Sequence, residues 1–125
     1  MQEAKIGIFD DLEIFRTRTE LILRNLGHNI LINAATLRES VKAIDALEDT
    51  LDVALVDGTL EHDSEPMSDG KTIARLLREK FGGSVNIVSV SGAGDIFEGA
   101  DTAIAKADVE AISDFIDQLP DKQKA

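Results

Sequence analysis

Five short apolar runs, spaced by segments with helical periodicity, constrain this chain more than any other feature it has. The runs are Ile6–Phe9 (IGIF), Asn29–Ala34 (NILINA), Val53–Val56 (VALV), Val85–Val90 (VNIVSV) and a weaker Thr102–Ala105 (TAIA). The third is apolar on consecutive residues, as expected of a strand covered on both faces. Strand alternating with helix predicts βαβ units: a three-layer, doubly wound α/β fold around a parallel sheet, with helices on both faces. Ligands of such sheets bind outside the carboxyl ends of the strands, so the residues that follow each run matter most.

The helical segments have recognisable ends. Ile14, Phe15, Leu21, Ile22 and Leu26 predict one apolar stripe on the first helix, stopped by Gly27. Thr36 and Glu39 read as a capping box for a second helix with Leu37, Val41, Ile44 and Leu47 inward. Ser68 or Asp69 is expected to cap the third, whose Ile73, Leu76, Leu77 and Phe81 face inward before Gly82-Gly83. Asp108 is expected to cap the last, with Val109, Ile112, Phe115, Ile116 and Leu119 inward until Pro120.

Composition narrows the classes of partner. At 125 residues, 43% of them hydrophobic, the chain can build a single core, expected over 1–119 with 120–125 as a tail. A formal charge of −11 disfavours nucleic acid and anionic membranes as partners, because both would be repelled. The chain lacks cysteine, which removes disulfides and thiolate metal sites. Neither a signal-peptide pattern nor an apolar stretch near the roughly 20 residues of a membrane span is visible, so the expectation is a soluble cytoplasmic domain.

The strand ends carry the chemistry. Asp10-Asp11 follow the first strand, Asp57 the third, Ser91 the fourth and Lys106 the fifth. Carboxylates converging in a small space need a cation, and oxygen-only ligands point to Mg²⁺ with coordination positions left open for phosphoryl oxygens. A hydroxyl and an ammonium would hold the remaining oxygens. Each residue also has a plainer role: Asp10-Asp11 as helix caps, Asp57 as a turn former before Gly58, Ser91 as a loop serine, Lys106 as a solvated side chain. His28 and His62 have no matching partners and read as surface residues.

The stretch VDGT also invites comparison with haloacid-dehalogenase-like hydrolases, whose motif is D-x-D-G-T. The nucleophilic first aspartate of that motif is Leu55 here, and leucine cannot form an acyl phosphate. By contrast, Asp10-Asp11, Asp57, Ser91 and Lys106, in this order at four strand ends, resemble the CheY-like receiver domain of bacterial response regulators over essentially the whole chain. FDDLEIFR, residues 9–16, resembles that family's entry into its first helix.

The resemblance implies strand order 2-1-3-4-5 and a phosphoacceptor at Asp57. It implies Mg²⁺ bound by Asp11 directly, by Asp10 mainly through water, by Asp57 and by the Thr59 backbone carbonyl. Ser91 would be the switch hydroxyl and Lys106 the partner of the phosphoryl group. Thr59 and Ala93 would tune the lifetime of the phosphorylated form. The implied role is a two-component or phosphorelay phosphoprotein, with a histidine kinase or phosphotransfer protein upstream and an unknown protein downstream. It would not be an enzyme beyond self-phosphorylation from small donors and autodephosphorylation, and it would stand alone without an output domain.

The sequence also departs from the family. Ala107 stands where proline usually follows the lysine, which predicts a trans bond and a re-routed turn that could displace the Lys106 ammonium. Ala103 stands at the aromatic switch position. The loop from Asp57 to Asp69-Gly70 (GTLEHDSEPMSD) is longer than the family leads one to expect; it would shield the phosphoryl group, contact a partner or be a tolerated surface insertion beside the site, the last slightly favoured. The stretch GAGDIFEGADTAIA, residues 92–105, must hold both the fifth strand and a shortened fourth helix. Ile96 and Phe97 would be either an exposed remnant of that helix or part of the core. These departures motivate a second reading, a degenerate receiver acting as a phosphorylation-independent interaction module.

Overall fold

The computed structural model describes residues 1–61 and 65–121. Its strands are β1 (Lys5–Phe9), β2 (Asn29–Ala34), β3 (Val53–Val56), β4 (Asn86–Ser91) and β5 (Thr102–Ala105). Its helices are α1 (Glu13–Asn25), α2 (Leu37–Ala46), α3 (Ser68–Phe81) and α4 (Val109–Gln118), and a 3₁₀ turn at Gly82–Ser84 leads into β4. The strands form one parallel sheet in the order β2-β1-β3-β4-β5, as expected.

The alternation of β3 explains the layers. Val53 and Leu55 join Phe15, Leu23, Ile112 and Ile116 beneath α1 and α4, while Ala54 and Val56 join Ile44, Ile73, Ala74 and Leu77 beneath α2 and α3. All four β3 side chains are buried, which is why this run lacks polar residues. Among the described residues, no helix is long and apolar enough to cross a membrane.

Local signals hold where capping is sequence-encoded. The Thr36 hydroxyl accepts from the Glu39 amide at 3.1 Å, and the Glu39 carboxylate accepts from Ala35 at 2.9 Å. The Asp108 carboxylate accepts from the Ala111 amide at 3.0 Å. Gly27 turns the chain after α1 with φ 96°.

Several expectations need correction. The α1 stripe is rotated: Phe15, Thr19 and Leu23 are buried, whereas Ile14, Leu21 and Leu26 are 70%, 61% and 51% exposed. Spacing i, i+4, i+8 through a threonine made the inner face look less apolar than the outer one. Val41 is likewise exposed and Ser40 takes the inward place on α2, its hydroxyl bonded to the Thr36 carbonyl. Neither Ser68 nor Asp69 caps α3; the N-cap is Met67, and Asp69 lies buried inside the first turn.

The shortened fourth helix is absent altogether. Residues 92–101 are irregular, with glycines at φ 77° (Gly94) and 100° (Gly99) that helical geometry excludes. Phe97 folds into the core at 3% exposure while Ile96 stays out at 57%, so the two alternatives for this pair divide between them. His62 lies outside the described residues.

His28 is not a surface residue but 4% exposed, and its Nδ1 accepts from the Ala4 amide at 3.0 Å. Burial holds its pKa below the usual 6.5, against the pull of Asp117. Neutral His28 therefore supports β1, and protonation removes the acceptor. Because its folded pKa is depressed, its contribution is complete above 6.5 and is lost as pH falls through that value towards the folded one. The stability advantage of the wild type over His28→Gln, from urea unfolding, should shrink as pH falls from neutrality below 6.5; an advantage independent of pH would refute this.

Candidate functional site

The parallel sheet delivers the ends of β1, β3, β4 and β5 to one edge. Asp10 follows β1, with its amide donating to Ala34 O of β2 at 3.0 Å, and Asp57 follows β3, with its amide donating to Phe9 O of β1 at 2.8 Å. The two aspartates thus leave adjacent strands at the same level. Each of Asp10, Asp11 and Asp57 offers a carboxylate oxygen within 4.8 Å of the others. Asp10 is fully buried, Asp57 half-buried and Asp11 exposed.

Lys106 enters from the end of β5. Its Nζ donates to Asp57 Oδ2 at 2.7 Å and to Asp10 Oδ1 at 3.0 Å, and lies 2.9 Å from Asp10 Oδ2. The Lys106–Ala107 bond is trans, as expected, and the ammonium reaches both carboxylates. Its position is set earlier, by the Lys106 amide donating to Ser91 O at 2.8 Å, which extends the β4–β5 pairing by one residue. The Phe15 ring of α1 lies 5.7 Å from the same ammonium, a cation–π contact that closes one side of the site.

One cation faces more carboxylate than it can neutralise. Burial pushes Asp10 up to about 6; the Lys106 and Leu12 hydrogen bonds oppose that rise, and Asp57 adds to it. Burial pulls Lys106 down, but its hydrogen bonds to Asp57 and Asp10 outweigh this and its pKa is raised. The site therefore keeps a charged lysine and an under-compensated acidic pair.

The plainer roles are met in part. Asp10 Oδ1 accepts from the Leu12 amide at 2.8 Å, ahead of α1, which has no side-chain cap. Asp57 Oδ1 accepts from the Thr59 amide at 3.2 Å, a turn-forming contact that leaves Oδ2 to Lys106. The Ser91 hydroxyl is turned onto its own loop, where it accepts from the Asp95 amide at 2.8 Å.

Two supports were not singled out from sequence. Asp69 Oδ2 accepts from the Leu60 and Glu61 amides at 2.7 and 3.1 Å, pinning the chain just after Asp57. The Gly70 amide donates to Gly58 O at 2.8 Å, and a Cβ on Gly70 would sit 2.8 Å from Gly58 Cα, so a side chain there would push this loop away. The signal available was the Asp-Gly pair at the start of α3, which read as an ordinary helix entry.

Comparison with solved structures decides the fold family. The receiver domain of the hybrid histidine kinase CckA superposes with a TM-score of 0.72 at 22% identity, over 91% of this chain and 96% of that one. The chain has the receiver fold. A Francisella response regulator receiver domain gives a TM-score of 0.70 at 16% identity over 91% and 93% of the two chains. A chain in the structure of the phosphorylated P1 domain of CheA3 in complex with CheY6 from R. sphaeroides gives 0.64 at 18%, over 90% and 94%. No family model and no curated protein matches the sequence. Within the receiver fold, the acidic cluster and Lys106 occupy the sheet edge where such folds bind ligands.

Removing Lys106 should expose the electrostatic debt of the site. Its side chain and those of Asp10 and Asp57 are 17%, 0% and 14% exposed, so the pairs are largely shielded from solvent. Lys106→Met should cost about 3 kcal/mol in urea unfolding, and adding Asp10→Asn should recover a large part of it. Strictly additive effects in that double-mutant cycle would show that the two groups are not coupled.

Proposed function

We propose that this protein is a phosphoacceptor receiver domain of a two-component or phosphorelay system, phosphorylated on Asp57. The observation that carries the reading is the Lys106 ammonium joined to both Asp57 and Asp10, beside a third carboxylate within 4.8 Å. Structural likeness to receiver domains supports it. The donor is a phosphohistidine of a histidine kinase or phosphotransfer protein; likeness to a chain from a complex of a phosphorylated P1 domain with CheY6 supports that class.

The step balances simply. An Asp57 carboxylate oxygen forms a bond to phosphorus, the P–N bond of phosphohistidine breaks, and the electron pair leaves with the imidazole, which takes up a proton. The product is an acyl phosphate with one more negative charge than the starting carboxylate. Lys106 already bonds Asp57 Oδ2 and is placed to follow the added charge onto the phosphoryl oxygens.

The residues fit Mg²⁺. The donors are hard oxygens: three carboxylates each have an oxygen within 4.8 Å of the others, and the one ammonium beside them, 2.9 Å from Asp10 Oδ2 and 2.7 Å from Asp57 Oδ2, does not neutralise them. Asp10, Asp11, Asp57 and the Thr59 carbonyl would hold it. When bound, the ion neutralises carboxylate charge and orients phosphoryl oxygens. Asp10 and Lys106 fix the acidic pocket, and the Asp69 bonds hold the chain carrying Thr59 in place.

Ser91 gives the second reading its footing, because its hydroxyl is engaged with Asp95 and Ala103 offers no ring. Intact mass spectrometry after incubation with Mg²⁺ and acetyl phosphate separates the two. Gain of one phosphoryl group, absent in Asp57→Asn, is the expected result. No gain, together with no Mg²⁺ binding by calorimetry, would favour a phosphorylation-independent interaction module.

A further inference from the structure

The Lys106 ammonium has two kinds of neighbour. It donates to Asp57 Oδ2 at 2.7 Å and to Asp10 Oδ1 at 3.0 Å, and the centroid of the Phe15 ring lies 5.7 Å from it. The carboxylates stand at strand ends, whereas the ring comes from the first turn of α1 and belongs to the core. Phe15 is 1% exposed, and among the described residues it is the one fully buried aromatic side chain in the layer beneath α1 and α4. The other buried members of that layer are aliphatic, so apolar bulk alone does not call for a ring at this place.

Backbone contacts fix where Lys106 starts but not where it points. Its amide donates to Ser91 O at 2.8 Å, and the Asp108 amide closes the next turn on Ala105 O at 2.9 Å. Beyond the Cα lies a four-carbon stem with free rotation, among the most costly side chains to hold still. The bond to Asp57 holds it only until that carboxylate takes a phosphoryl group, when the donor passes to new oxygens. During that exchange Asp10 and the Phe15 ring are the contacts that stay as they were. A ring face attracts a cation without the fixed direction of a hydrogen bond, so it keeps its hold while the ammonium moves. The Lys106 side chain is 17% exposed, and that shielding from water strengthens the attraction.

We propose that Phe15 is a positioning residue for phosphoryl transfer, its ring holding the Lys106 ammonium beside Asp57 through the charge distribution of the aromatic face and not through apolar packing alone. This rests on the phosphoacceptor reading. One short segment, residues 10–15, then supplies two of the carboxylates and the ring that steadies their cation.

Site-specific replacement of Phe15 by mono-, di- and pentafluorophenylalanine tests this, because fluorine drains charge from the ring face while the ring itself is kept. Phe15→Leu keeps apolar bulk and removes the ring. In the unphosphorylated full chain, the order parameter of the isotope-labelled Lys106 ammonium nitrogen should fall stepwise along the fluorine series, with Phe15→Leu at the low end. The mono- and difluoro rings, closest in size to the native one, keep that ordering readable where the larger changes unfold the chain. An ammonium equally rigid across the series would overturn the proposal. So would a pentafluoro protein as rigid as the wild type beside a mobile Phe15→Leu, since Phe15 would then act by packing.

The rate of phosphoryl gain from acetyl phosphate at saturating Mg²⁺, followed by intact mass, tests the role in transfer. It should fall about tenfold from the native to the pentafluoro ring, the scale of a partly desolvated cation–π contact. A rate unchanged along the series while the ammonium loosens would overturn the positioning role. No phosphoryl gain in the wild type would overturn the phosphoacceptor reading and the role in transfer with it, while the ammonium measurements would still decide whether the ring holds the lysine.

Discussion

The Lys106 ammonium, bonded at once to Asp57 at 2.7 Å and Asp10 at 3.0 Å, ties together the ends of three strands. β1 and β3 are neighbours, but β5 lies two places away from β3 across β4, so the lysine spans a strand to make the contact. Without a cation there, Asp10 would be a fully buried carboxylate beside Asp57, and burial already raises it to about 6 with the lysine present. The site is thus held in tension between desolvation and ion pairing. That imbalance of charge is the physical reason the proposed function assigns the same residues to a divalent cation.

Around that bridge the connecting loops have little freedom. The chain after β3 is fastened by the Asp69 carboxylate to the Leu60 and Glu61 amides and by Gly70 to Gly58. The chain after β4 is fastened by Ser89 and Ser91 to Asp95 and by Phe97 to Gly70. Both loops therefore converge on the first turn of α3. That convergence compensates for the missing crossover helix, since one aromatic ring covers part of the α3 face that a helix would otherwise bury.

Legibility in the sequence followed how local the determining interaction is. Thr36, Asp108 and Gly27 were readable because a cap or a left-handed turn depends on residues three or four positions away. The rotation of α1 was not, because Thr19 is buried by what packs over it and not by its own polarity. His28 was misread for the same reason: its acceptor role is fixed by Ala4, brought beside it when β1 and β2 pair. The trans bond before Ala107 was readable, but the place of Lys106 was not, because its backbone is held by pairing with Ser91 on the neighbouring strand.

Sequence alone determined the alternating α/β order, the parallel sheet and the residues standing at each strand end, because periodicity and strand termini are properties of contiguous residues. It placed Asp10, Asp11, Asp57 and Lys106 on one edge, since parallel strands all end on the same side. Only the tertiary structure decided where the Ser91 hydroxyl points, that Phe97 is buried and Ile96 is not, and that 92–101 contains no helix. The burial of Phe97 turns on its fit against Gly70 and Gly58, groups distant in sequence, and such a fit is settled by packing.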